Sequence, residues 1–189
     1  MQGVWLFLTA LSIFFFSSIL LYVVYVAMRF VPQTGLKPQT FYLPWSFLPS
    51  TILLFGVSGS LEWGLRSAKR DRTQDVKRAT IIAFIMGLLF MAIQSDGMYR
   101  LIYAASQVES RTSVYSLTFV LAFLHALHVV GGMVGLLSIV FKAHQNRYDH
   151  ERDVGLRFCT LYWHFLDLVW LMLIGSFLIT GMLLNRTFL

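Results

Sequence analysis

The chain is poor in charge: 15 Lys plus Arg and 9 Asp plus Glu in 189 residues, 13% in all, against 57% apolar residues. A water-soluble domain carries about 25% charged and about 45–50% apolar residues. So little charge leaves too little polar surface to clothe a soluble particle of this size. Abundant aromatics (16%) and long apolar runs exclude a disordered segment. The net charge of +6 is dispersed between those runs, which excludes a basic nucleic-acid-binding module. Cysteine is nearly absent: Cys159 stands alone, so no intrachain disulfide forms and no cysteine-based zinc or iron–sulfur site closes. No acidic residue precedes Glu62. The chain also lacks a glycine-rich phosphate loop, a nucleophile elbow, an HExxH pair and a CxxCH haem-attachment motif. No internal repeat of the kind that builds inverted-repeat transporters is visible. These absences leave an integral membrane protein.

What is present is a set of uncharged runs. Residues 1–28, 38–61, 79–95 and 112–141 contain no Asp, Glu, Lys or Arg, and 158–185 contains only Asp167. Crossing about 30 Å of hydrocarbon takes about 20 helical residues, and the runs lack the alternating polarity of barrel strands. Only helices or closed barrels satisfy every backbone group in lipid. The sequence therefore predicts an all-α bundle of five transmembrane helices, near residues 4–28, 46–68, 79–104, 114–142 and 158–184, in one membrane domain covering 1–189. The first run has no basic residue before Arg29 and is too long for a signal peptide, so it is expected to remain as a span. Ten basic residues fall after the second and fourth spans: Arg66, Lys69, Arg70, Arg72, Lys77, Arg78, Lys142, Arg147, Arg152 and Arg157. Five fall on the opposite face, which predicts the N-terminus inside and the C-terminus outside. Pro32, Pro38, Pro44 and Pro49 mark the first outer loop, with restricted φ and missing donors.

Polar side chains inside the spans are costly, at roughly 2.5–3.5 kcal/mol for a carboxylate, and each calls for a partner or a task. His125 and His128 are spaced i, i+3 on the fourth span, and His164 and Asp167 are spaced likewise on the fifth. Three imidazoles and a carboxylate suit zinc or iron by ligand type. The same four residues suit a structural polar network that joins two helices where water is absent. Spacing alone leaves both readings open. His128 with His164 is also the one cross-helix pair that could hold a haem axially, though nothing else marks a haem pocket. Glu62 and Arg66 are placed for an i, i+4 ion pair, and with Lys69 they could meet lipid headgroups. Gln94 and Asp96 lie toward the outer end of the third span, with Arg100 one turn beyond Asp96. Gly131, Gly132 and Gly135 give the fourth span a small-residue face for close helix packing or for seating a lipid tail. Trp5, Trp45, Trp63, Tyr99 and Tyr115 fall near expected interfaces.

Two runs carry a resemblance: His-Ala-Leu-His-Val-Val-Gly-Gly from His125, and Tyr-Trp-His-Phe-Leu-Asp-Leu-Val-Trp from Tyr162 to Trp170. Together they resemble the last two helices of subunit III of the haem–copper terminal oxidases, here in its five-helix form. Gly87 to Phe90 leading to Gln94, and Glu62-Trp63 followed by basic residues, are similar to the two preceding helices of that family. The resemblance implies an accessory, non-redox subunit without a catalytic site of its own. Haem and copper would sit in its partners, the catalytic subunit I and subunit II, in a multi-subunit complex of a bacterial-type inner membrane. Phospholipids would be held between its helices, and the subunit would stabilise the catalytic subunit and support its proton uptake in aerobic electron transport. Three positions depart from the family pattern: Leu11, Gly97 and Arg157 stand where carboxylates are usual. These departures keep open a subunit-III-like accessory protein of a nitric oxide reductase, and the quartet keeps open a metal-binding membrane protein.

Overall fold

The computed structural model describes residues 2–30, 43–107, 114–145 and 154–186. They form five helices in chain order: α1 (Gln2–Phe30), α2 (Phe47–Ala68), α3 (Thr73–Ser106), α4 (Val114–His144) and α5 (Val154–Arg186). Every predicted span coincides with one helix. The helices run longer than the spans at the basic ends: α3 starts at Thr73 rather than 79, and α5 at Val154 rather than 158. Hydropathy marks where lipid would end, whereas backbone hydrogen bonding continues into the charged turns beyond.

By length and composition four of the helices can cross a membrane: Gly3–Met28, Thr73–Ser106, Val114–His144 and Val154–Leu183. The second expected span is not among them. Its 22 residues are long enough at about 1.5 Å of rise each, but Ser50, Thr51, Ser58, Ser60, Glu62, Arg66 and Ser67 lower its hydropathy. Pro49, expected in the loop, lies in the first turn of α2, where a missing N–H breaks no intrahelical bond. Pro44 precedes the helix, and its carbonyl accepts from the Phe47 N–H at 3.2 Å. Pro32 and Pro38 lie outside the described residues.

Helices α2 to α5 close a four-membered ring in which each touches its two neighbours, and α2 against α3 is the most extensive contact. A tight turn produces that pair. Asp71 takes a left-handed φ of 54°, a conformation open to short polar side chains. The N–H groups of Arg70 and Arg72 return to the Ser67 carbonyl at 3.1 and 3.0 Å. Small residues then let the backbones approach. A Cβ on Gly56 would stand 2.6 Å from Met86 Sδ, and one on Gly64 would stand 3.2 Å from the Ala79 Cβ.

Along α3 the buried positions include Val76, Thr80, Ala83, Gly87, Phe90, Gln94, Gly97 and Leu101. On α5 they include Leu156, Cys159, Trp163, Leu166, Trp170, Leu173, Phe177 and Thr180. Both series alternate steps of three and four, the period under which antiparallel helices wind about one another with a left-handed supercoil. Helix α1 stands outside the ring and leans only on α4 and α5. Among its described side chains Leu8, Phe15, Tyr22 and Val26 alone are buried.

Candidate functional site

Two polar residues of the ring, Thr51 and His125, meet at Trp170 of α5, which is fully buried. Its indole N–H donates to the Thr51 hydroxyl of α2 at 3.0 Å. The His125 ring of α4 stacks on it with centroids 5.0 Å apart and planes 23° apart. Phe47 of α2 and Phe90 of α3 meet it edge-on at 5.5 and 6.0 Å. One side chain thus touches all three other members of the ring. His125 is 1% exposed, and neither of its ring nitrogens finds a hydrogen-bond partner among the described residues. Its second aromatic neighbour is Phe15 of α1, edge-on at 6.2 Å.

His128 sits one turn further along α4, half-buried. Its Nδ1 donates to the Leu124 carbonyl at 2.7 Å, and its ring meets Phe15 at 4.9 Å. The Tyr162 hydroxyl of α5 donates to the His128 backbone carbonyl at 2.9 Å. On α5 the pair divides between inside and outside. Asp167 is 6% exposed, with Oδ2 3.8 Å from His164 Nδ1. Its Oδ1 is buried without a hydrogen bond, and the Ser58 hydroxyl of α2 faces the carboxyl without closing one. The His164 side chain is 48% exposed. The four residues expected to act together are therefore spread over the α4–α5 region. Among the described residues, no group of three or more His, Cys, Asp or Glu side chains is disposed to hold a metal ion.

Apart from Gln94, the side chains whose hydrogen bonds join helices are ones that spacing did not single out. Ser50 of α2 donates to Gln94 Oε1 of α3 at 3.1 Å, and Tyr22 of α1 shares a 3.2 Å bond with Thr118 of α4. Thr51, Tyr162 and Trp170 belong to the same group. The available signal was a hydroxyl or indole recurring at core spacing within an otherwise apolar helix. At the helix ends, Glu62 accepts from Arg66 Nε at 3.0 Å and Asp96 from Arg100 Nε at 2.8 Å, both exposed i, i+4 pairs. Lys69 is exposed in the turn after α2. Trp5, Trp45, Trp63 and Tyr99 are exposed, whereas Tyr115 is half-buried against the core.

The three positions that depart from the family pattern differ in kind. Leu11 packs partly buried against the core from α1, and Arg157 is exposed near the start of α5. Gly97 of α3 receives the start of α2: a Cβ there would stand 2.6 Å from the Phe47 ring and 2.7 Å from Ser46 Oγ. A larger side chain at 97 would displace Phe47, which is fully buried.

Between α1, α4 and α5 lies a groove of about 380 Å³. Its wall on α4 is Gly131, Gly132, Gly135, Ser138 and Ile139, with Lys142 at one end. Facing these are Phe7 of α1 and Gly155, Phe158, Cys159 and Tyr162 of α5. A Cβ on Gly135 would meet nothing within 4 Å, so the face is open there, whereas one on Gly132 would stand 3.1 Å from the Tyr162 ring. A long apolar trough with one ammonium at its mouth can take an alkyl chain and an anionic headgroup.

Residues 1–182 match the family described as cytochrome c oxidase subunit III. A probable cytochrome c oxidase subunit 3 of Mycobacterium leprae is 30% identical over 144 residues, which cover 75% of this chain and 70% of that protein. Cytochrome c oxidase subunit 3 of Synechocystis is 30% identical over 176 residues, 92% of this chain and 72% of the relative. The lamprey Petromyzon marinus protein of that name is 29% identical over 144 residues, and the match spans 52% of its length. The chain also spans only 62% of the Mycobacterium tuberculosis relative. This all-helical, lipid-compatible bundle, matched over residues 1–182, belongs to the cytochrome c oxidase subunit III family.

Proposed function

We propose that this chain is an accessory, non-redox subunit of a respiratory terminal oxidase, spanning a bacterial-type inner membrane with all five helices, N-terminus inside and C-terminus outside. It packs against the catalytic subunit I and subunit II, which carry the haem and copper, and stabilises them. Helix α2 completes the set of spans because part of its polar surface is turned inward: Ser50, Ser58 and Ser67 are buried, and Thr51 and Ser60 are half-buried. His125, His128, His164 and Asp167 serve as structural polar residues of the α4–α5 region, and Arg66 and Lys69 meet lipid headgroups at the inner surface.

The observation that carries this reading furthest is the groove beside Gly131, Gly132 and Gly135. It lies at the end of the bundle where the basic residues gather, and Lys142 stands at its mouth. We assign it to a phospholipid, with the acyl chain along the glycines and the phosphate at the ammonium. Leu11 leaves no carboxylate on α1, Gly97 supplies none at its own position, and the adjacent Asp96 is paired with Arg100, so support of proton uptake comes through stabilising the partner rather than through a relay in this chain.

Purification of the chain from native membranes should bring down a haem-containing complex that retains phospholipid by native mass spectrometry. Gly135→Phe combined with Lys142→Leu fills the groove and removes its charge. It should release bound lipid and weaken the chain's retention in the complex. An unchanged lipid count would remove the lipid assignment, and a haem-free wild-type chain would remove the oxidase reading. The loss of family carboxylates favours a second reading, an accessory protein of a nitric oxide reductase, which the haem spectrum of the co-purified complex separates from the first.

A further inference from the structure

Polar groups inside a membrane face the bundle interior, line water or pair with one another. Among the described residues His164 has one such neighbour, the Asp167 carboxylate, whose Oδ2 stands 3.8 Å from Nδ1, too far for a hydrogen bond. The His164 side chain is 48% exposed. No hydrogen bond to either ring nitrogen occurs among the described residues. It is also deep. His164 is ten residues into α5, so about 15 Å of helix separates it from Val154, and about 9 Å from the expected edge of the span at 158. Lysine and arginine reach headgroups from such depths on long flexible stems, whereas an imidazole is held close to its backbone.

The surroundings of His164 are those of a helix-packing face. Leu168, Leu171 and Gly175 follow it at steps of four, three and four, the spacing that α5 uses on its buried side. Leu168 is 52% and Leu171 46% exposed, and a Cβ on Gly175 would meet nothing within 4 Å. Helix α1 packs through Phe15 onto Phe165, and α2 packs onto Trp170, so this strip lies uncovered between them.

We propose that the α5 face carrying His164, Leu168 and Leu171 docks a transmembrane helix of another oxidase subunit, one that sets a hydrogen-bonding side chain opposite the imidazole. The inference rests on the oxidase reading above and names the surface that reading requires. Lipid tails offer nothing to bond to a ring nitrogen, whereas a hydroxyl, amide or carboxylate on a partner helix does. Asp167 Oδ2 stands nearest to Nδ1, which leaves Nε2 for the partner group.

The test uses the assembled complex in native membranes. A photo-crosslinking benzoylphenylalanine in place of Leu168 should join a peptide of a different subunit, identified by mass spectrometry of the haem-containing band. The same probe in place of Leu88, exposed on α3, should not yield that peptide. His164→Leu should lower retention of the chain on detergent washing about three- to tenfold, the scale of one intramembrane hydrogen bond, and His164→Gln should restore part of it. A haem-containing complex in which the Leu168 probe reaches only lipid, or only another copy of this chain, overturns the docking face and leaves the oxidase reading intact. A chain that brings down no haem overturns both.

Discussion

Helix α1 and the ring of α2 to α5 solve the same problem in opposite ways. Only 11% of the apolar window of α1 is buried in the bundle, against 33%, 39% and 44% for α3, α4 and α5. Yet α1 has no charged residue before Arg29, and α2, the one helix of the five not apolar enough by composition to count as a span, shares the most extensive contact. Within lipid, apolar side chains gain nothing by leaving the solvent, so hydrophobicity does not drive helices together. Close approach, dispersion and hydrogen bonds do. Glycines, serines and threonines of α2 supply the first and the last, while α1 contributes one buried side chain in about every two turns. Hydropathy therefore reports which surface lipid accepts, and small polar residues report where helices touch.

Substitutions can break this contrast, and the largest effect belongs inside the ring. Trp170→Ala removes the stack on His125 and the bond to Thr51, and the void lies where lipid cannot refill it. Unfolding in mixed micelles should show a loss of about 3–5 kcal/mol. Gly97→Glu, which supplies the carboxylate that the family resemblance leads one to expect there, must displace Phe47. It should cost about 1–3 kcal/mol by the same measurement, whereas Gly135→Ala, with nothing near its added methyl, should change little. Phe15→Ala tests the other side of the comparison. Lipid chains can flow into the space on the open flank of α1, so about 1 kcal/mol is expected, below the usual range for a buried phenylalanine. Its readout is accelerated proteolysis or exchange of α1 with the ring intact. Tyr162→Phe is smaller still. Losing the bond to the His128 carbonyl should cost about 0.6 kcal/mol, and a loss as large as that of Trp170→Ala would show that the ring is held by hydrogen bonds rather than packing.

The helices were legible because each long uncharged run has one structure open to it in lipid. The ends were less so: the first turns of α3 and α5 are built from Thr73, Asp75, Lys77 and Arg157, which hydropathy discards. The residues of the site were legible in identity more than in relation. His125 and Asp167 stand out as polar groups in apolar runs, but periodicity places only residues of one helix relative to each other. Whether His125 would meet Asp167, a metal or an indole depends on the rotation of α4 against α5, which local sequence does not encode. Trp170 illustrates the gap. It closes the second resembling run, yet as an aromatic in an apolar helix it looked like ordinary packing until α2, α3 and α4 were seen converging on it.

Composition and charge spacing by themselves determined that the chain is a membrane-embedded helical bundle, where its helices lie and which ends collect the basic residues. Backbone hydrogen bonding in lipid allows only helices or closed barrels, and long runs without alternating polarity leave helices. Only the tertiary structure decided that α1 stands outside a closed ring, that Gly97 seats Phe47, and that His164 faces outward while Asp167 faces inward. Those outcomes follow from how helices rotate and approach, a balance of close contacts between distant residues that no single stretch of sequence contains.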